Sequence, residues 1–487
     1  MLQPTSMKCL SRLLLVLVLL GSTTSSVFAE PDVIWSRLLP NGLSEQTGTL
    51  STDSTFVMAD GVIALGTAPC PALWRCPDSW HRPQTFWALD ANTGKVKWTI
   101  PLANGSTIEP IAAQKLILGQ YARPNGQGDT TYRLLALDPQ TGRIVWSIPG
   151  SGWALVGDLI LRSDENSDNW GVITNASLSA YDVSNGMFRW RINTLPASYS
   201  LSSNRDFGYG AGIIFTLGET QLLYSQSTLL YALNASTGAV IWSRNGFSSG
   251  ACPTYSDGRV FAVQLLQGPS SLSFTRNLVA LNATIGQTLW NKTIGYSYYD
   301  TNWKGENPNV AGVCPMIGKD RVFDFSIKTH DQLVPDLVAF DSSDGRELWR
   351  HPVPCEADPI DLTTCRPILW NHRAVSQSMV FMASGYLHAI DQNSGSEVWS
   401  YGLTVDNWNP LGYQNGVLYA FDTPNNVTSP SIAAFAFPEL PVPEVPINHV
   451  TEILVAALLC TLLIVVRTGS AGLALRKRIM PNRRRSG

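Results

Sequence analysis

The sequence predicts an all-β protein: an eight-bladed β-propeller of four-stranded antiparallel blades, its ring closed by N- and C-terminal strands, with one C-terminal transmembrane helix. Three observations predict it. One hairpin pattern, A-x-[DN]-x-x-x-G-x-x-x-W, recurs seven times without a gap. An eighth copy is split between the two ends of the repeat region. A long apolar run followed by arginines lies downstream of the repeats.

The seven copies begin at Ala88, Ala136, Ala180, Ala232, Ala280, Ala339 and Ala389. Their tryptophans are Trp98, Trp146, Trp190, Trp242, Trp290, Trp349 and Trp399. A short apolar stretch precedes each Asp or Asn, as in Leu134-Leu135-Ala136-Leu137. Asp or Asn opens a turn by accepting backbone hydrogen bonds, and the glycine supplies positive φ. The returning strand carries the indole, which can fill the wedge between adjacent sheets. Counting Trp35, the Trp spacing runs from 44 to 63 residues. That is room for a four-stranded unit plus loops, and a second hairpin-like segment lies upstream of each copy, as at Gly258–Val263.

The split copy supplies closure. Val33-Ile34-Trp35-Ser36-Arg37 repeats Val240-Ile241-Trp242-Ser243-Arg244 letter for letter, with no hairpin before it. Gly416–Phe421 and Ile432–Phe437 provide inner strands with no tryptophan after them. Joining these ends hides the strand edges that an open array would expose. The propeller is therefore expected over 30–437.

The flanking segments read as targeting and anchoring elements. Residues 1–29 have Lys8 and Arg12 before the apolar run Leu13–Leu20, with small residues ahead of a cut after Ala29, the pattern of a signal peptide. Residues 438–449 hold Pro438, Pro441, Pro443 and Pro446 and predict a stiff stalk. Residues 450–475 include the apolar run Ile453–Val466 and predict a transmembrane helix, in which Arg467 is costly unless it snorkels or pairs. The basic tail 476–487 is expected to stay cytoplasmic. The implied location is a membrane, with the bulk of the chain in the secretory lumen or outside the cell.

Only 15% of the residues are charged, and 31–449 carries 25 Lys and Arg against 35 Asp and Glu. That acidic balance argues against a nucleic-acid partner. Outside the signal and membrane segments six cysteines remain, an even number suited to an oxidising compartment. Cys70 with Cys76 and Cys355 with Cys365 are close pairs, which leaves Cys252 with Cys314, one preference among fifteen connectivities. Six N-x-[ST] sequons, at Asn104, Asn175, Asn234, Asn282, Asn291 and Asn426, are candidate glycosylation sites; a chain so rich in Ser and Thr generates several by composition alone.

The pattern A-x-D-x-x-T-G-x-x-x-W, closest in Asp90–Trp98 and Asp138–Trp146, resembles the Trp-docking repeat of the PQQ-like propeller family. The resemblance covers nearly the whole expected ectodomain. It implies the fold, and structural roles for Trp35 and the seven motif tryptophans. It does not choose a function, since the family holds quinoprotein alcohol dehydrogenases, a bacterial outer-membrane assembly lipoprotein and luminal domains of stress sensors. The dehydrogenases commonly carry adjacent cysteines against the quinone, and some a C-x-x-C-H haem motif. Neither occurs in this sequence.

Other candidates are few. Asp164-x-Asn166-x-Asp168 has the alternating oxygen ligands that open a calcium loop, without the glycine and glutamate in register; a polar loop is the simpler reading. Tyr296, Tyr298, Tyr299 and Trp303 form an aromatic connection between blades, and Trp408 lies in a similar one. Such loops make binding surfaces on propeller faces, though packing against the rim also explains them. Gly208-x-Gly210-x-Gly212 lacks the following helix of a phosphate loop, and the histidines do not cluster at ligand spacing. The expected function is a non-enzymatic scaffold for a protein or glycan partner, with no cofactor. The alternative is a membrane-bound oxidoreductase of alcohols or sugars using PQQ and calcium.

Overall fold

The hairpin encoded by the repeat sets the geometry of every sheet. The computed structural model describes residues 32–38, 56–66, 85–103, 106–124, 130–167, 173–193, 207–219, 228–247, 252–267, 273–298, 314–326, 335–353, 373–384, 386–401, 408–422 and 431–437. All fall within one compact unit, Glu30–Glu439. The expected signal peptide, stalk, transmembrane helix and tail lie outside the described residues. Among those described, no helix is long and apolar enough to cross a membrane.

Every described element is a strand. β1 is Val33–Leu38. The first unit holds β2 (Phe56–Ala59), β3 (Val62–Leu65), β4 (Thr85–Asp90) and β5 (Val96–Pro101). The second holds β6 (Thr107–Ala113), β7 (Ile117–Pro124), β8 (Thr130–Leu137) and β9 (Ile144–Pro149). The third holds β10 (Trp153–Val156), β11 (Leu159–Ser167), β12 (Ile173–Asp182) and β13 (Phe188–Ile192). The fourth holds β14 (Phe207–Gly210), β15 (Ile213–Glu219), β16 (Thr228–Asn234) and β17 (Val240–Phe247). The fifth holds β18 (Thr254–Ser256), β19 (Arg259–Gln267), β20 (Ser273–Asn282) and β21 (Thr288–Tyr298). The sixth holds β22 (Met316–Ile317), β23 (Arg321–Ser326), β24 (Asp336–Asp341) and β25 (Glu347–Pro352). The seventh holds β26 (Arg373–Val375), β27 (Met379–Ser384), β28 (Tyr386–Asp391) and β29 (Glu397–Tyr401). The last unit joins β30 (Trp408–Gln414), β31 (Val417–Asp422) and β32 (Ser431–Ala436) to β1.

Pairing within each unit is antiparallel and follows chain order. The fourth and fifth units merge into one eight-stranded sheet through the single pairing of Phe247 with Gln264. In the last unit the N-terminal β1 pairs with β32, so the two ends of the repeat region share a sheet, as the sequence predicts.

The motif alanine always lies directly opposite the motif tryptophan: Ala88 pairs with Trp98, Ala136 with Trp146, and so on through Ala389 with Trp399. Ala434 takes that place against Trp35. The register slips by one residue just before each of these tryptophans. Such bulges twist an outer strand and blunt its exposed edge.

The turn obeys the same chemistry each time. In the second unit Asp138 Oδ1 accepts from the Gln140 and Thr141 amides at 3.0 and 2.8 Å, and from the Thr141 hydroxyl at 2.8 Å. The Gly142 amide bonds the Asp138 carbonyl at 2.8 Å, with φ at +70°.

The apolar cores lie between units. In β3, Val62 and Ala64 face the second unit while Ile63 and Leu65 face the last. A strand packed on both faces must be apolar throughout, which is why Val-Ile-Ala-Leu shows no polar alternation. Six of the eight outer tryptophans then fasten their unit to the next through the indole N–H, while Nε1 of Trp146 and Trp399 has no partner among the described residues. Trp35, Trp98, Trp190, Trp242, Trp290 and Trp349 donate Nε1 to the carbonyls of Ala91, Pro139, Ala235, Ala283, Ser342 and Gln392, at 2.7 to 3.0 Å. Their rings cover the turn glycine of that next unit, and a Cβ on Gly142 would stand 2.8 Å from the Trp98 ring. These are the features of a β-propeller with tryptophan docking.

Candidate functional site

First strands of neighbouring units contact one another, as β2 does β6 and β14 does β18. Their C-terminal ends lead into short turns such as Asp60–Gly61, Asp257–Gly258 and Asn415–Gly416, whose first residues have positive φ. Antiparallel order therefore places the first residues of β2, β14 and β18 toward the opposite edge. Connections at such an edge are where propellers place recognition.

A cleft of about 450 Å³ opens between β14 and the residues entering β18 and β22. Phe207, Tyr209, Pro253, Tyr255, Pro315 and Met316 line it, with Cys252 and Cys314 in its wall. The two cysteines form a disulfide between the fifth and sixth units, Cα atoms 4.9 Å apart, which is the pairing preferred from sequence. Thr254 Oγ1 ties the same joint by donating to the Pro315 carbonyl at 2.8 Å.

Glycines make the cleft's tight wall. A Cβ on Gly208 would stand 2.7 Å from the Pro253 carbonyl, and one on Gly210 would overlap the Tyr255 ring. Gly208 and Gly210 thus serve close strand approach, Gly212 serves a turn with φ at +72°, and β15 rather than a helix follows. Tyr255 stacks on Phe215, centroids 6.0 Å apart. The Tyr209 hydroxyl is held above its ordinary range by burial and by the Asp158 carboxylate to which it is hydrogen-bonded.

A charged pair links the fifth and sixth units. Arg276 of β20 and Asp324 of β23 are both fully buried, with 3.6 Å between Arg276 Nη2 and Asp324 Oδ1. Arg276 Nη1 donates to the Phe325 carbonyl at 2.9 Å. Burial pushes the guanidinium pKa down, and the carboxylate opposes that shift.

A second titratable group joins the sixth and seventh units. His388 Nδ1 lies 3.2 Å from Glu397 Oε2. This hydrogen bond, ahead of the other causes, keeps the Glu397 carboxyl below its usual range. Half-buried His351 feels both residues, and burial lowers its pKa. The fold therefore brings His351 of the sixth unit within electrostatic reach of His388 of the seventh. Among the described residues no group of three or more His, Cys, Asp or Glu side chains could hold a metal ion.

The remaining candidates separate. Asp164 and Asn166 sit in β11, opposite Ser177 and Asn175, and not in a loop. Asp164 Oδ1 is 2.6 Å from Arg162 Nη2, and that guanidinium lies over the Trp153 ring. A carboxylate so engaged is a poor calcium ligand. Asp168 lies outside the described residues. Tyr296 and Tyr298 extend β21, paired with Thr275 and Ser273, rather than beginning a loop. Tyr299 and Trp303 lie outside the described residues, and Trp408 opens β30. Asn234 and Asn282 open turns, Asn291 stands exposed on β21, and Asn175 belongs to β12. Asn104, Asn426, Cys70, Cys76, Cys355 and Cys365 lie outside the described residues.

Sequence reasoning missed the Arg276–Asp324 pair. Its signal was present: single charges interrupting apolar strands, Arg276 ahead of Leu278-Val279-Ala280 and Asp324 between Phe323 and Phe325.

The sequence model of the family described as outer membrane protein assembly factor BamB matches residues 32–199, 174–298 and 335–434. Polyvinylalcohol dehydrogenase of a Pseudomonas species is 27% identical over 271 residues, 50% of this chain and 38% of that protein. The chain thus spans less than half the length of this curated relative. Among solved structures, BamB from Moraxella catarrhalis is similar with a TM-score of 0.48 and 15% identity, covering 84% of this chain and 100% of that one. Quinohemoprotein alcohol dehydrogenase from Comamonas testosteroni is similar with a TM-score of 0.45 and 12% identity, covering 87% of this chain and 79% of that one.

Proposed function

The chain belongs to the family of the outer membrane protein assembly factor BamB, and from that membership we propose that it is a non-enzymatic scaffold that binds a protein partner at the loop edge of a closed, eight-bladed propeller. The observation that carries the reading is the cleft between β14, β18 and β22. It is concave, lined by aromatic side chains and prolines, and its wall is stapled by the Cys252–Cys314 disulfide. Rigid aromatic anchors at a pre-formed site are what protein recognition favours. The ectodomain is held at a membrane by 450–475, with the bulk of the chain on the extracytoplasmic side. A glycan partner would use the same aromatic lining.

A second reading, an oxidoreductase of alcohols using PQQ and calcium, is favoured by the match to polyvinylalcohol dehydrogenase. The described lining of the cleft does not fit that cofactor. A quinone bearing three carboxylates needs cationic partners, and the described lining of the cleft has no Arg or Lys. Of the two acidic candidates for calcium, Asp164 is engaged by Arg162 and Asp168 lies outside the described residues.

The test is site-specific photo-crosslinking in the full chain, with the photoreactive residue at Tyr209 or Met316 in the cleft and at Gln287 on the turn edge. The same adduct from both cleft positions and none from Gln287 is expected. Calcium- and PQQ-dependent dye reduction by an alcohol would replace the scaffold reading with the enzymatic one.

A further inference from the structure

The turn-opening position is Asp in five of the seven complete repeats and Asn in the fourth and fifth units, at Asn234 and Asn282. The Asp turns mostly keep a cation nearby. Asp182 is ion-paired with Arg189, Asp341 Oδ2 lies 3.9 Å from Arg346, and Arg143 acts on Asp138. In the Asn turns the residues between glycine and tryptophan, Ala239-Val240-Ile241 and Gln287-Thr288-Leu289, hold no cation, and the Asn282 turn receives Arg244 of the fourth unit on the Gly286 carbonyl at 2.7 Å.

The two asparagines do the turn's work with one atom only. Asn234 Oδ1 accepts from the Ser236 and Thr237 amides at 2.9 and 3.1 Å. Asn282 Oδ1 accepts from the Thr284 and Ile285 amides at 3.0 and 3.1 Å. Neither Nδ2 has a hydrogen-bond partner among the described residues. Both turns are fixed by docking, since the next residues, Ala235 and Ala283, receive the Trp190 and Trp242 indoles. Ser236 and Thr284 complete a sequon in each. Beside them stand exposed apolar side chains: Val240 (48%) and Ile241 (42%) on the fourth unit, Ile285 (63%) and Leu289 (46%) on the fifth.

We propose that Asn234 and Asn282 carry N-linked glycans, which shield the turn edge and apolar rim of the fourth and fifth units and leave the loop edge as the face open to partners. This rests on the extracytoplasmic reading above. In the transfer, Nδ2 bonds to the anomeric carbon of an oligosaccharide carried on an isoprenoid diphosphate. The carbon–oxygen bond to the diphosphate breaks, the lipid diphosphate leaves with the electron pair, and the amide gives up one proton. Oδ1 is untouched, so the turn survives modification. At the Asp positions no such amide exists. The first sugar ring then covers apolar surface that would otherwise meet water.

The full chain, produced in a eukaryotic secretory host, is treated with peptide N-glycosidase in heavy-oxygen water and mapped by mass spectrometry. Label at Asn234 and Asn282 is expected. Label at Asn104, Asn175 or Asn426 with these two unlabelled overturns the proposal while leaving the topology intact. A chain with no labelled sequon overturns both. Asn234→Asp and Thr284→Ala each remove one sequon and keep the Oδ1 acceptor. Each should lose the mass of one glycan with an unchanged circular-dichroism spectrum, and the double variant should self-associate. A double variant that stays monodisperse overturns the shielding role.

Discussion

The Tyr413 hydroxyl donates to the Phe437 carbonyl at 2.6 Å, and Trp399 Nε1, buried at the same joint, has no hydrogen-bond partner among the described residues. Phe437 occupies the place that Ala91 holds in the first unit. The amide of each bonds a turn glycine, Gly416 in one case and Gly61 in the other. At six joints the carbonyl at this place receives an indole. At the joint of the seventh and last units a tyrosine takes it, and Trp399 packs edge-on against Phe437 at 4.8 Å instead.

This predicts unequal tryptophans. Trp349→Phe loses a hydrogen bond to Gln392 and should cost about 1 kcal/mol more than Trp399→Phe, which removes an unsatisfied donor. Tyr413→Phe frees the Phe437 carbonyl for Trp399 and should be close to neutral. Thermal unfolding of the three variants checks the ranking; equal losses for the two tryptophans would contradict it.

Two glycines separate backbone strain from packing. Gly258 has φ at +74° and open space where a Cβ would stand, so Gly258→Ala should cost about 1–2 kcal/mol. Gly142 has φ at +70° and lies under the Trp98 ring, so Gly142→Ala must also displace the indole from Pro139. Its loss should exceed that of Gly258→Ala by at least about 1 kcal/mol in denaturant titration.

The Arg276–Asp324 pair should behave as a buried couple. Arg276→Met or Asp324→Leu alone leaves a charge in the core and should destabilise by about 3–5 kcal/mol. The double variant should be far less damaged than the sum. A double-mutant cycle on unfolding free energy reads this coupling, and additive losses would contradict it.

Acid should loosen the joint of the sixth and seventh units through His351. Burial holds its folded pKa below the ordinary imidazole value of about 6.5, so the unfolded chain takes up the proton first. That contribution to stability is complete above about pH 6.5 and is lost as pH falls toward the folded pKa. Glu397 and Asp336 oppose the shift, and His388 adds to it. His351→Gln should flatten the stability profile between pH 7 and 5; an unchanged slope would contradict the assignment.

Much of the fold was legible because the repeat couples local chemistry to tertiary contact. Asp138, Gly142 and Trp146 sit within one hairpin, and the same residue types recur wherever that hairpin meets its neighbour. The split unit was readable for the same reason: Val33–Arg37 copies Val240–Arg244, and β1 does pair with β32. The site was less legible. The cleft depends on how three first strands approach one another, and Gly208 and Gly210 reveal their purpose only against Pro253 and Tyr255. His351 and His388 meet across units, at a distance no local spacing encodes. Alternating oxygens suggested a calcium loop at Asp164, but the strand carries that residue to Arg162 instead.

The central claim is that the propeller binds a partner and not a redox cofactor. Calorimetric titration of the full chain in detergent with PQQ, in the presence and absence of calcium, tests it most directly. The account predicts no saturable heat in either condition. Stoichiometric, calcium-dependent binding would contradict it and make the chain a quinoprotein.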